Sequence, residues 1–196
     1  MQENLYTCLK KVCGRRKSRR VFLDKLVPDD ILSKIKEVAL TAPYASGKSN
    51  WDMSIITDKN KLKQIALSVK RKNEELIKLM REDFRDGYNQ YAVNFTLFEN
   101  APAVFFLNYR TPASLSMMFE KQKLEEVYYK IGEWERDNYV KSISCVAMLI
   151  ILAAESLGLG ACYMTGPLLA EDEIIDILKV KKDRRIGSVI PVGYYE

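Results

Sequence analysis

Residues 15 to 20 read Arg15-Arg16-Lys17-Ser18-Arg19-Arg20, five cations around one hydroxyl. Like charges set this close repel one another, so a compact chain keeps them only where an anion or free solvent offsets the repulsion. Guanidinium forks match phosphate oxygens in pairs, and a serine hydroxyl adds a neutral donor. The segment alone leaves two readings open: a phosphate site, or a solvated charge run or nucleic-acid arm. The charge distribution favours the first. The chain carries a formal net charge of +5, yet Lys10, Lys11, Arg15, Arg16, Lys17, Arg19 and Arg20 sit together without an acid between residues 9 and 20. Elsewhere the signs nearly balance, which describes a focused anion site better than a nucleic-acid surface.

Two other stretches have the residue types of a ligand site. The loop from Pro43 to Asn50 is small and polar, so it is either a simple connector or a place where backbone approaches a flat ligand. The turn Tyr163-Met164-Thr165-Gly166 leaves an apolar run; its glycine permits a close approach, and its amides could donate to a ligand, although a plain strand-to-helix turn has the same composition. Histidine is absent from all 196 residues, which excludes a histidine base, a Ser-His-Asp or Cys-His couple, and histidine metal ligands. The cysteines Cys8, Cys13, Cys145 and Cys162 fit no common zinc or iron–sulfur spacing. Cys145 and Cys162 lie in apolar runs and are expected to be buried, reduced thiols. No metal is expected.

The elements that must position these residues follow from periodicity and punctuation. Length and an ordinary composition, 47% hydrophobic and 29% charged, bound one domain over residues 1–196. Residues 3–13 make an amphipathic helix with Leu5, Leu9 and Val12 on one stripe. Pro28, Asp29 and Asp30 open a second helix that buries Ile31, Ile35, Val38 and Ala39 and ends near Ala42 and Pro43. A strand from Trp51 to Thr57 leads to Asp58, which can cap a long helix with Leu62, Ile65, Val69, Leu76, Met80 and Phe84 in its stripe. Residues 86–100 read as aromatic and irregular. Pro102 introduces a buried strand, Ala103 to Leu107. Residues 111–136, with Tyr128, Tyr129 and Trp134 among many charges, read as a lid-like excursion or a surface helix. A helix from about Asp137 to Leu157 is apolar all round between Cys145 and Ala154, so full burial is expected; that ten-residue run is about half a membrane span. A short strand Ala161–Met164, a helix Ala170–Leu178 and a strand Ile186–Tyr194 complete the order. Helices and strands mix without strict βαβ alternation, which indicates an α+β fold around one sheet. With no signal-like apolar core at the N-terminus, a cytoplasmic location is expected, without a membrane or nucleic-acid partner.

In order and spacing these pieces resemble the FMN-dependent nitroreductase family over almost the whole chain. Arg16-Lys17-Ser18-Arg19-Arg20-Val21-Phe22 matches the family's Arg-Arg-Ser-x-Arg-x-Phe block. Ala42-Pro43 through Trp51, then Ile55-Ile56-Thr57-Asp58, matches its helix end, small loop and strand. The run from Leu152-Ala153-Ala154-Glu155 to Tyr163-Met164-Thr165-Gly166, followed later by Val192-Gly193-Tyr194, is the strongest match. The resemblance implies a central mixed, mostly antiparallel sheet flanked by helices, and a homodimer with FMN sites at the interface. Arg16, Lys17, Ser18 and Arg20 would hold the phosphate. Pro43, Tyr44, Ala45 and Gly47 would come from the partner and line the flavin. Met164, Thr165 and Gly166 would lie against the ring, with Asn94 near its pyrimidine edge. The helix from Cys145 to Ala154 would form the dimer core.

The implied chemistry is ping-pong: FMN takes a hydride at N5 from NADH or NADPH and passes it to a small-molecule acceptor such as a nitroaromatic or a quinone. The alternative is a flavin-binding protein that stores or senses FMN with little turnover. Departures from the family pattern are Tyr44, Gly47 and Ser49, where Ser, Asn and Gln are usual, and Thr165, where Glu is common. Members usually continue past the position of Glu196 into an arm with phosphate-binding cations, so the block at residues 16–20 is expected to carry the phosphate largely alone.

Overall fold

The computed structural model describes residues 4–43, 50–110 and 125–196. Four strands form one sheet in the order β1 (Trp51–Ile56), β2 (Ala103–Arg110), β4 (Arg184–Gly193), β3 (Gly160–Ala161). Every neighbouring pair is antiparallel; the parallel element is a single bridge between Ser18 and Ala161 at the β3 edge. β2 is buried from Ala103 to Tyr109, which requires cover on both faces of the sheet. The side-chain period of two divides that cover. Phe105 and Leu107 point into a cluster with Ile35 of α2 (Asp29–Ala39) and Ile143 and Ile150 of α5 (Glu125–Ser156). Val104 and Phe106 point into a second cluster with Leu62, Ile65 and Val69 of α3 (Lys59–Leu79), Phe98, and Ile174 of α6 (Glu171–Leu178).

Local signals account for most boundaries. Asp58 caps α3, its Oδ1 accepting from Asn60 N at 2.9 Å and Lys61 N at 3.3 Å. Pro28 stands at the N-cap position of α2 without a side-chain cap, and Asp29 and Asp30 occupy the first turn against the positive end of the helix dipole. The buried stripe of α2 is Leu32, Ile35 and Ala39, whereas Val38, expected inside, is exposed on its flank. Residues 86–100, expected to be irregular, are helical: α4 (Glu82–Ala92) opens with Glu82 and Asp83 and runs into a 3-10 turn, Val93–Asn100. The 3-10 turn Gly166–Ala170 then leads from β3 into α6.

The largest differences from expectation concern helices at the surface. α5 begins at Glu125 and so takes in part of the expected excursion; residues 111–124 lie outside the described residues. It is also not fully buried. Val146, Ala147, Ile150 and Ala154 face the sheet, while Ser144, Cys145 and Met148 face outward and are exposed. One helix presents only part of its circumference to one sheet, so an all-round apolar sequence leaves a stripe that the chain itself does not cover. α1 (Leu5–Arg15) buries no residue at all, and Leu5 and Leu9 are open to solvent. Among the described residues the segment Tyr129–Ser156 is long and apolar enough to cross a membrane, and 56% of its most apolar window is buried inside the fold.

Candidate functional site

β3 is short and lies at the sheet edge, and its free side is filled by the basic block. Ser18 bridges to Ala161, and Arg19 N donates to Ala161 O at 2.9 Å. Past β3 the chain stays beside β4: Met164 and Val189 exchange both backbone hydrogen bonds at 2.9 Å. In such a pair the flanking amides, those of Tyr163 and Thr165, turn away from β4 toward the open edge. The block has left the edge by then, so these amides face a pocket.

That pocket, of about 400 Å³, is lined by Arg20, Tyr91, Asn94, Phe95 and residues 162–166. Among the described residues Arg20 is the one charged side chain in its lining, and none of them places a carboxylate there. Arg16, Lys17 and Arg20 form no ion pair among the described residues, whereas Arg15 Nε lies 3.2 Å from Oε1 of the buried Glu155. Beneath Arg20 is the buried thiol of Cys162. Burial pushes this thiol above its ordinary range, while the Arg20 charge and a hydrogen bond with Ser18 pull it partly back. Ser18 and Arg20 therefore converge on the same spot at the pocket's end.

The opposite wall is aromatic. Phe95 stands edge-on to Tyr91, with centroids 5.1 Å apart at 84°, and to Tyr88 at 6.3 Å and 85°. The Tyr88 hydroxyl donates to Asn73 Oδ1 at 2.7 Å, which ties this wall to α3. Gly166 has its identity from the same ring, since a β-carbon there would fall inside Phe95. Asn94 Nδ2 donates to Tyr91 O at 3.0 Å, leaving its carbonyl oxygen and second N–H toward the solvent side.

Of the residues singled out in the sequence, the fold brings Arg20, Asn94, Met164, Thr165 and Gly166 together around one pocket. Ser18 adjoins it and lines, with Arg19, Arg20 and Tyr195, a neighbouring hollow of about 550 Å³. The Met164 side chain is buried in the core below. Arg16 closes α1, its N donating to Val12 O at 3.1 Å, and Lys17 is exposed; neither lines the pocket. Pro43 is exposed past α2, on the opposite side of the sheet from Thr165 and Gly166, and Tyr44, Ala45 and Gly47 lie outside the described residues. Cys145, expected to be buried, is exposed on α5, while Cys162 is buried. The sequence reading missed Tyr91, Phe95 and Cys162 as lining residues and had Tyr163 only within the turn whose amides could donate. The density of aromatics between Phe84 and Phe98 was the available signal.

A BluB-like flavoprotein from Clostridium difficile 630 superposes with a TM-score of 0.81 at 23% identity, covering 96% of this chain and 90% of its own. A nitroreductase with bound FMN from Desulfitobacterium hafniense DCB-2 superposes with a TM-score of 0.72 at 18% identity, covering 96% and 89%. These two share the fold. In sequence, the chain is 25% identical over 190 residues to a candidate NADH dehydrogenase/NAD(P)H nitroreductase of Archaeoglobus fulgidus, covering 95% of this chain and 84% of that protein. The model of the Nitroreductase family matches residues 14–194, nearly the whole sequence, and the chain belongs to that family.

Proposed function

We propose that this protein is an FMN-dependent NAD(P)H oxidoreductase of nitroreductase type, acting as a cytoplasmic homodimer on a nitroaromatic, quinone or similar acceptor. One observation carries the reading: among the described residues the pocket at the open β3 edge combines the Arg20 cation, edge amides and aromatic walls without a carboxylate, and the Ser18 hydroxyl adjoins it. The donor set fits FMN. A phosphate monoester needs cations and neutral donors, and an acid in the lining would repel it. A planar ring suits a floor of backbone with aromatic sides, and the volume lies in the range of small-molecule sites.

When bound, FMN supplies reversible hydride acceptance and donation, chemistry that needs no histidine from the protein. The remaining work belongs to this chain. Arg20 and Ser18 would hold the phosphate. The amides of Tyr163 and Thr165 would be free to donate to the bound group, and donors of that kind stabilise negative charge as it develops. Tyr91 and Phe95 narrow the pocket and keep water from one flank. An open pocket that serves reductant and acceptor in turn suits a ping-pong order.

The dimer is supported by what one chain leaves uncovered. Met148 on α5 is 49% exposed and Leu5 on α1 is 87% exposed, and Pro43 is remote from the pocket it would line unless a second copy delivers it. The test is the visible spectrum of FMN-loaded protein, without oxygen, before and after NADH or NADPH. Bleaching followed by recovery with a quinone or nitroaromatic is expected. A bound flavin that neither reductant bleaches would make the chain a flavin-binding protein.

A further inference from the structure

The basic block runs extended beside β3, so successive side chains take opposite sides. Ser18 and Arg20 share one side, where both bear on the Cys162 thiol. Arg19 turns to the other, onto Tyr195, at the rim of the hollow that all three border. Its guanidinium carbon sits 4.1 Å from the centroid of the Tyr195 ring. Its stem lies on Gly160, where a β-carbon would come within 2.6 Å of Arg19 Cγ and 2.8 Å of Tyr195 Cδ1. Arg19 Nε is buried and has no hydrogen-bond partner among the described residues, so stacking and stem packing hold this cation rather than an ion pair. The contact is reinforced nearby: Leu23 N donates to Tyr194 O at 2.8 Å, and Lys25 Nζ lies 4.1 Å over the Tyr194 ring.

We infer that Arg19, stacked on Tyr195 above Gly160, is a positioning residue that aims Ser18 and Arg20 at the phosphate of the cofactor. The inference rests on the phosphate role proposed above. Apart from this stack, among the described residues the block is joined to β3 by a single bridge, of which the bond from Arg19 N to Ala161 O is part. Its other free cations repel one another until an anion arrives, and that repulsion favours a splayed block. A clamp on the far side holds Ser18 and Arg20 converged beforehand, which lowers the ordering cost of binding. Glycine at residue 160 completes the clamp, because any larger residue would displace both Arg19 and Tyr195.

The test is titration of the apo-protein with FMN and with riboflavin, which lacks the phosphate. Arg19→Met keeps the packed stem and removes the cation; Tyr195→Ala removes the ring and no charge; Tyr195→Phe keeps the ring. Arg19→Met and Tyr195→Ala are each expected to weaken FMN binding by about tenfold with riboflavin unchanged, and Tyr195→Phe to behave as wild type. If Arg19→Met weakens FMN binding and Tyr195→Ala does not, Arg19 touches the phosphate directly and the positioning role is wrong. Equal losses for both ligands would reduce the stack to general stability and also overturn it. If wild type and Arg20→Ala bind FMN and riboflavin alike, the phosphate reading fails and Arg19 loses its role with it.

Discussion

On one face of the sheet, α3, the Val93–Asn100 turn and α6 close over Val104, Phe106 and Val189, and this cluster is sealed within one chain. On the other, α2 and α5 bury Phe105, Leu107 and Ile190, but α5 turns Cys145 and Met148 outward and α1 offers Leu5 and Leu9 to solvent. The first face ends in the pocket wall, since Phe95 packs against it and the Met164 side chain lies inside it. The second ends in the exposed apolar surface of α1 and α5. The contrast is between a face that closes on itself around the pocket wall and one that leaves apolar surface uncovered, which is where the proposed second copy would sit.

If the first face is a closed core, truncating its centre must cost fold stability. Phe106 is completely buried and stands edge-on to Phe98 at 6.4 Å. Phe106→Ala is expected to lower unfolding stability by about 3–5 kcal/mol in urea titrations, and a cost below about 1 kcal/mol would mean that this core is not packed as described. On the other face, Met148→Asp is expected to leave monomer stability within about 0.5 kcal/mol, because the side chain already meets water. Association should instead weaken by about 2 kcal/mol or more, from placing an unpaired charge in an apolar contact. Sedimentation or light scattering across a dilution series reads that change, and an unchanged dimer would place the interface elsewhere.

At the pocket end the comparison narrows to one side chain. Arg20→Ala is expected to weaken FMN binding by about ten- to a hundredfold, the cost of a hydrogen bond to a charged group. Riboflavin binding should hold. The loss should shrink as salt rises, since Arg20 is exposed and its field is screened. Arg15→Ala offers the contrast within the block. Its partner is Glu155, so it should affect the docking of α1 on α5 more than the affinity for phosphate.

The closed face was the more legible in sequence. Asp58 announced the start of α3 by its capping chemistry, and Pro102 with an apolar run announced β2. The Ser18 and Gly166 ends of the site were legible through their residue types. What failed was context. Gly87 and a run of aromatics disguised α4, which buries only Ala92 and sets Tyr88 edge-on to Phe95 of the following 3-10 turn. The charges of residues 125–136 disguised the first turns of α5. Cys145 was assigned to the interior from its neighbours along the chain, whereas helical phase puts it one turn from Met148, on the outer face. The exposed stripes of α1 and α5 show the same limit: a sequence reports that a face is apolar, and not whether its cover comes from the same chain.

Cysteine chemistry gives the mildest test of the comparison, because each face carries a thiol. Cys162 is buried under Arg20 at the site, and Cys13 and Cys145 are exposed on α1 and α5. Burial raises the Cys162 thiol above its ordinary value of 9.0, so near pH 8 it is both shielded and protonated. A disulfide reagent added to native protein at that pH should modify Cys13 and Cys145 quickly and Cys162 slowly. The preference for the neutral thiol also sets the sign of a pH effect. Its contribution to stability is present in full below pH 9.0 and is lost as pH rises through the raised value in the folded chain, so Cys162→Ala should flatten the fall in stability above pH 9. Protein concentration separates the two faces further. If α5 meets a second copy, Cys145 should react several-fold more slowly once dimers form, while the slow rate of Cys162 stays constant, since its cover comes from its own chain. Labelling of Cys145 at one rate on both sides of the dimer transition would remove the outer face of α5 from the interface and leave the exposed stripe of α1 as the surface to test next.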